Sequence, residues 1–177
     1  MRFEVRETTK YPREVVFATH RDRLEDIARY LPDVEKIDLR GRSRHAGGRE
    51  QQTHLWTGSP SALPLLFRPF VPPNLLVWQQ VTTWDPSTWT ATWAIEVPGL
   101  GQAIVANGTN VYVDHGGSCR IDLDGDFAFH PERVPQLAAI PSSMAPMIEK
   151  VVVGLIVPMI ERTGSAVAKY LDEHPLP

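Results

Sequence analysis

The stretch Cys119-Arg120-Ile121-Asp122-Leu123-Asp124-Gly125-Asp126-Phe127 decides the fold. Its odd positions are Cys, Ile, Leu, Gly and Phe, and its even positions are Arg, Asp, Asp and Asp. Successive side chains of a β-strand point to opposite faces, so one face here seeks a core and the other seeks water. The chain then enters one long helix, expected from about Ser143 to Glu173. Helical spacing aligns Met144, Met147, Ile148, Val151, Leu155, Met159 and Val167 in a broad stripe, with Val152, Ile156 and Ile160 beside it. No charge falls between Val151 and Ile160, so the middle of this helix expects neighbours on most sides. The same run is too short to span a bilayer. An antiparallel sheet that ends in such a helix predicts an α+β fold, with the sheet curved around the helix and a cavity between them.

Upstream, Phe3 and Val5 alternate with Arg2, Glu4 and Arg6, which predicts a first strand. This charged, alternating start is a strand and not a signal peptide, and the expected compartment is the cytoplasm. Two short helices follow, near 12–19 and 21–30, the first opened by Pro12 and the second stopped by Pro32. Strands are expected at Glu35–Arg44 and Arg49–Thr57, joined by a turn at His45-Ala46-Gly47-Gly48. Residues 58–74 are broken by five prolines yet rich in Leu, Phe and Val, so this segment must lie on something. Further strands are expected at Leu75–Trp84, Thr88–Val97 and Gln102–Asp114, linked by turns at Asp85-Pro86-Ser87, Pro98-Gly99-Leu100-Gly101 and His115-Gly116-Gly117. The 177 residues suit one domain, 1–177, at 42% hydrophobic and 22% charged.

Strand, two short helices, antiparallel meander and long C-terminal helix: this order resembles the START / polyketide cyclase / plant-allergen superfamily, the helix-grip domains also called SRPBCC. The similar stretches are Pro73-Asn74-Leu75 before a strand ending in Trp84, Glu96-Val97-Pro98-Gly99 at a hairpin, Gly108-Thr109 and Gly116-Gly117. In these the chain looks like a group of uncharacterised bacterial members. The resemblance covers essentially the whole chain. It implies a cavity between the curved sheet and the last helix, suited to a hydrophobic or amphipathic small molecule or a lipid. It carries over no catalytic motif, because the fold hosts lipid carriers, receptors and cyclases alike.

The residues themselves nominate the lining of that cavity. Pro158 cannot donate a hydrogen bond to Gly154, so a kink is expected there. The kink serves either a ligand or the curvature of the sheet. On the helix the candidate ligand-binding residues are Met147, Val151, Gly154, Leu155, Pro158 and Met159. On the sheet they are Trp56, Trp78, Trp93, Leu123 and Phe127, with Trp93 central in its alternating strand. Phe67 and Phe70 of the proline-rich segment are a candidate lid, or a permanent plug. Asn107 and Thr109 share a strand face with Ala103, Val105, Val111 and Val113. If that face is interior, both reach the cavity, and a buried amide needs a partner there; reversed parity would expose Asn107.

Catalytic chemistry has thin support. No nucleophile with its base can be assembled from neighbours in sequence, and the weak candidates are His54 and Glu7, an acid–base pair for a cyclase-like reaction. His20-Arg21-Asp22 echoes a kinase catalytic loop but lacks its downstream Asn. Asp122, Asp124 and Asp126 do not have calcium-loop spacing, and the histidines lack metal-ligand spacing, so no metal or other cofactor is expected. The single Cys119 lies on an apolar strand face and reads as core. A net charge of −3 argues against a nucleic-acid partner, and the arginines from Arg40 to Arg49 read as a solvated hairpin. Binding or transport of a hydrophobic small molecule is therefore the first expectation. A cyclase/aromatase-like enzyme and a protein-interaction module are the alternatives, and the oligomeric state is left open.

Overall fold

A computed structural model of the chain describes residues 1–62, 65, 76–98, 103–130, 133, 154 and 157–175. Seven antiparallel strands form one sheet in the order β1-β7-β6-β5-β4-β3-β2. They are β1 (Arg2–Thr9), β2 (Val34–Arg44), β3 (Glu50–Gly58), β4 (Val77–Asp85), β5 (Thr90–Glu96), β6 (Ile104–Asp114) and β7 (Cys119–Phe129). The first two strands in sequence are thus the two edges of the sheet. The chain between them, with helices α1 (Arg13–Asp22) and α2 (Leu24–Ile27), crosses from one edge to the other. Helical residues from Val157 onward lead into α3 (Thr163–Glu173), which buries Ala166, Val167 and Leu171. This is the curved sheet with short helices and a C-terminal helix that the alternation of β7 predicts.

The inner face of the sheet is built from rows that cross all its strands. One row reads Gln52, Thr82, Trp93, Gly108, Gly125, Phe3. A side chain at Gly108 would stand 2.5 Å from Cζ2 of Trp93, and one at Gly125 would enter the Phe3 ring. The two glycines therefore make room for the two aromatic rings laid over them. At the α1 end, Phe17 meets Trp84, Trp89 and Tyr112 edge-on, with centroids 5.4, 5.3 and 5.1 Å away. Ion pairs and hydrogen bonds hold α3 to the early part of the chain: Lys10 and Tyr11 reach Asp172, each at 2.6 Å, Tyr30 reaches Glu173, and Arg162 pairs with Asp33.

Several expectations are corrected. The face of β6 that carries Val105, Asn107, Thr109, Val111 and Val113 points outward, with Val105 and Asn107 exposed. The inner face holds Ile104, Ala106, Gly108, Asn110 and Tyr112 instead, with Gly108 leaving room for the Trp93 ring. Trp89 is not a strand residue. It closes the turn before β5 with φ 55°, its carbonyl accepting from Tyr112 N–H and its ring covered by the Arg13 guanidinium. Gly154 is helical and exposed, with no described residue within 4 Å of where a Cβ would stand. The kink expected at Pro158 has a counterpart at Arg162, a turn residue between the helical residues 157–161 and α3. There the Thr163 hydroxyl donates to the Met159 carbonyl at 3.2 Å, a bond that commonly bends helices. The expected lid residues Phe67 and Phe70, and the liners Met147, Val151 and Leu155, lie outside the described residues. Leu65, from the same proline-rich segment as the lid, is exposed. No helix among the described residues is long and apolar enough to cross a membrane.

The glycine row gives a paired test. Gly108→Ala forces overpacking and should cost about 1–3 kcal/mol, read as a lower urea midpoint at unchanged m. Gly154→Ala, on an open helical surface, should raise the midpoint by the equivalent of about 0.5–1 kcal/mol. Equal effects of the two substitutions would contradict the close approach at Gly108.

Candidate functional site

The inner faces of β3 and β4 present Glu50, Gln52, His54 and Trp56 on one strand, and Trp78, Gln80, Thr82 and Trp84 on the other. Direct cross-strand pairs are Glu50 with Trp84, Gln52 with Thr82, His54 with Gln80, and Trp56 with Trp78. This is an unusually polar and aromatic wall for the inside of a sheet. Glu50 is buried, with Arg42 reaching it at 2.6 Å and Gln52 Nε2 donating to it at 2.7 Å. Arg42 also pairs with Asp22 at the end of α1. Arg44 approaches Glu50 from solvent at 3.7 Å. The expected solvated hairpin is thus largely exposed, but Arg42 anchors it to a buried carboxylate.

Across from this wall runs a chain of neutral hydrogen bonds. Trp93 Nε1 donates to Asn110 Oδ1 at 3.1 Å. Tyr112 Oη lies 2.6 Å from His20 Nδ1. Burial keeps His20 neutral, pushing its pKa down to about 4 with a further push from His54. Burial likewise lowers His54 to about 4 and holds the Tyr112 phenol well above its ordinary value.

Two cavities open where this interior meets the helix. The larger, about 30 Å³, is lined by Trp56, Gln80 and Trp93 from the sheet and Met159 from the helix. The smaller, about 10 Å³, is lined by Val5, Glu7, Ile121 and Gly164. His20, Asn110, Leu123, Ile160 and Thr163 line both. Such volumes hold one or two water molecules, not a large guest. The Glu7 carboxylate lies in the space that Gly164 leaves, and burial raises its pKa.

Of the residues expected to line a cavity, Trp56, Trp93, Leu123 and Met159 do so. Trp78 stacks on Trp56 at 5.8 Å between centroids. Phe127 is core, Pro158 is half-buried, and Asn107 and Thr109 lie on the outer face. His54 and Glu7 do not line a common cavity; Glu7 shares the smaller one with His20. Sequence reasoning passed over His20, Asn110 and Gln80 as site residues. For His20 a signal existed, since Val16, Phe17 and His20 share one helical face and all are buried. Among the described residues no cluster of His, Cys, Asp or Glu could hold a metal ion.

The two depressed histidines set a pH dependence. Between about pH 6.5, the ordinary value, and about pH 4, the unfolded chain binds protons that folded His20 and His54 exclude. Stability therefore falls as pH drops through this window, by up to about 3 kcal/mol per histidine. His54→Phe should flatten the fall in urea midpoint between pH 7 and pH 4.5. An unchanged slope would show that His54 is not held neutral by burial.

No family model matches the chain, and no curated protein matches it in sequence. Solved structures do. TTHA0849 from Thermus thermophilus is similar with a TM-score of 0.70 and 16% identity, over 99% of this chain and 100% of that one. The Zhui aromatase/cyclase from Streptomyces sp. R1128 follows at 0.64 and 14%, over 97% and 95%. Norcoclaurine synthase from Thalictrum flavum stands at 0.54 and 14%, over 98% and 87%. With the strand order, the crossing helices and the closing α3 in place, the chain has the α+β helix-grip fold of these structures.

Proposed function

We propose that this protein binds a hydrophobic or amphipathic small molecule between the inner face of its sheet and the helix from Val157 to Glu173. One observation carries this reading. Both cavities lie along that seam, and five residues border both. Their linings mix apolar groups with a few converging polar ones, the usual composition of a small-molecule site. A guest needs several hundred Å³, so entry requires the side chains of Met159, Ile160 and Thr163 to yield. Met159 suits this, being unbranched and adaptable.

A second reading, an enzyme that cyclises or dehydrates an oxygenated substrate, is favoured by the smaller cavity. There Glu7, with a raised pKa, borders the same space as His20, whose Nδ1 lies 2.6 Å from Tyr112 Oη. A carboxyl and an imidazole facing one space are a workable acid–base pair. The Zhui aromatase/cyclase shares the fold, which makes such chemistry a reasonable trial.

Native mass spectrometry of gently purified protein should show a non-covalent adduct that is lost on organic extraction. Leu123→Trp, which fills both cavities, should abolish it. Absence of any adduct, together with no uptake of small apolar fluorophores, would refute the binding reading. For the second reading, Glu7→Gln should stop turnover of a linear poly-β-ketone while binding changes less than about threefold. Wild-type protein that binds the ketone without converting it would leave the carrier reading alone.

A further inference from the structure

The open sheet ends in β1 on one side and β2 on the other, and each edge presents a row of backbone groups with no further strand beside it. The two edges are built differently. β2 breaks its register with β3 twice, between Val34 and Lys36 and between Leu39 and Gly41. Such irregularities bend a strand and spoil it as a template for another chain. At the second of them the backbone N–H of Leu39 is also taken by the Glu25 carboxylate, at 2.9 Å. β1 has neither device. It pairs with β7 from Arg2 to Thr9 without a shift.

The bonding of β1 identifies which of its groups face outward. Met1 and Phe127 exchange both backbone hydrogen bonds. In an antiparallel ladder such pairs alternate with pairs that exchange none. Along the register, Phe3, Val5 and Glu7 therefore turn their N–H and C=O groups to β7, while Arg2, Glu4, Arg6 and Thr8 turn theirs to the open edge. The side chains of the latter set are exposed on the outer face. Their charges alternate, Arg, Glu, Arg, before the neutral Thr8. Arg6 stands opposite Asp122 on β7, but Arg120 already holds that carboxylate through two bonds of 2.8 Å. Among the described residues Arg6 makes no ion pair.

Two copies joined edge to edge about a two-fold axis pair their β1 strands antiparallel. The charges choose where the axis passes. Centred on Glu4 or on Arg6, the pairing sets like charges face to face, which destabilises a sheet. Centred on Phe3, it overlaps only residues 2–4 of the strand. Centred on Val5, it sets Glu4 opposite Arg6 of the second copy and Arg6 opposite its Glu4, with Arg2 and Thr8 opposed at each end. We propose that the β1 edge is the docking surface for a second copy of this chain, paired antiparallel about Val5 and secured by reciprocal Glu4–Arg6 contacts. The pairing closes on itself. It consumes both open edges, and the irregular β2 edges that remain do not extend it into a fibre. This inference goes beyond the binding reading and does not rest on it.

Sedimentation velocity tests it. The joined strip is narrow, which places the dissociation constant on the order of 1–100 μM. Wild-type protein should pass from monomer to dimer between about 1 μM and 1 mM. Arg6→Glu and Glu4→Arg each make both reciprocal contacts repulsive, and each should weaken the dimer at least about tenfold. The double variant, Glu4→Arg with Arg6→Glu, restores the opposition with signs exchanged and should return to within about threefold of wild type. Both positions are exposed, and urea midpoints of dilute samples check that the variants fold. Amide exchange reads the register: the N–H groups of Glu4 and Arg6 should slow as concentration rises, while those of Val5 and Glu7, already bonded to β7, change little. Wild-type protein that stays monomeric throughout would overturn the proposal. So would a dimer that Arg6→Glu leaves intact, since its interface would lie elsewhere, or a double variant no tighter than the single ones.

Discussion

The inner face of this sheet depends on one close approach, the Trp93 indole lying over Gly108. Because β6 carries no side chain there, the ring lies flat against the strand and its Nε1 reaches Asn110. Further along β6, Tyr112 lies 2.6 Å from His20 Nδ1 on α1, and both Asn110 and His20 border the two cavities. The same device recurs at Gly125 beneath Phe3, where β7 meets the edge strand β1. Large rings on β5 and β1 are accommodated by absent side chains on the two strands between them.

Charge is arranged around this neutral interior. Arg42, Glu50 and Asp22 hold the hairpin to the end of α1, while Arg162–Asp33 and Lys10–Asp172 hold the last helix to the early chain. The exposed pairs among these contribute little to stability and act mainly on position. Glu50 differs, being buried; without Arg42 it would be an uncompensated charge inside the protein. Inside that ring burial lowers both imidazoles to about 4 and raises the phenol, so these three groups are neutral near pH 7.

The fold was readable wherever an apolar face coincided with a core face. In β7 the odd residues are both the apolar ones and the buried ones, and the topology followed from that strand and the helix after it. In β6 the rule reversed. Its outward face carries Val105, Val111 and Val113, residues that suit a pleated surface on either side, and its inward face is small or polar to accommodate Trp93. Alternation alone has no sign, so Asn107 stood where Asn110 belongs. Trp89 was misplaced for another reason: its positive φ is imposed by Arg13, Phe17 and the bond from Tyr112, contacts distant in sequence. His20 shared a helical face with Val16 and Phe17, and that spacing was the legible signal. What no local pattern could supply was which histidine shares a cavity with Glu7.

The interior combines two features that a purely structural core would avoid together. Its volumes are small enough for close packing, yet Gln52, His54 and three indoles are left without partners. An apolar replacement of these groups would remove the desolvation cost at no loss of a bond. The helix beside them is locally irregular after Pro158. Pro158 removes one ladder hydrogen bond, and Thr163 competes for the Met159 carbonyl with its hydroxyl. Met159, Ile160 and Thr163, which border the larger cavity, sit on this joint. The wall of β3 and β4 thus keeps unpaired polar groups, while the helix that closes the interior lacks one ladder hydrogen bond at Pro158 and is irregular at Arg162.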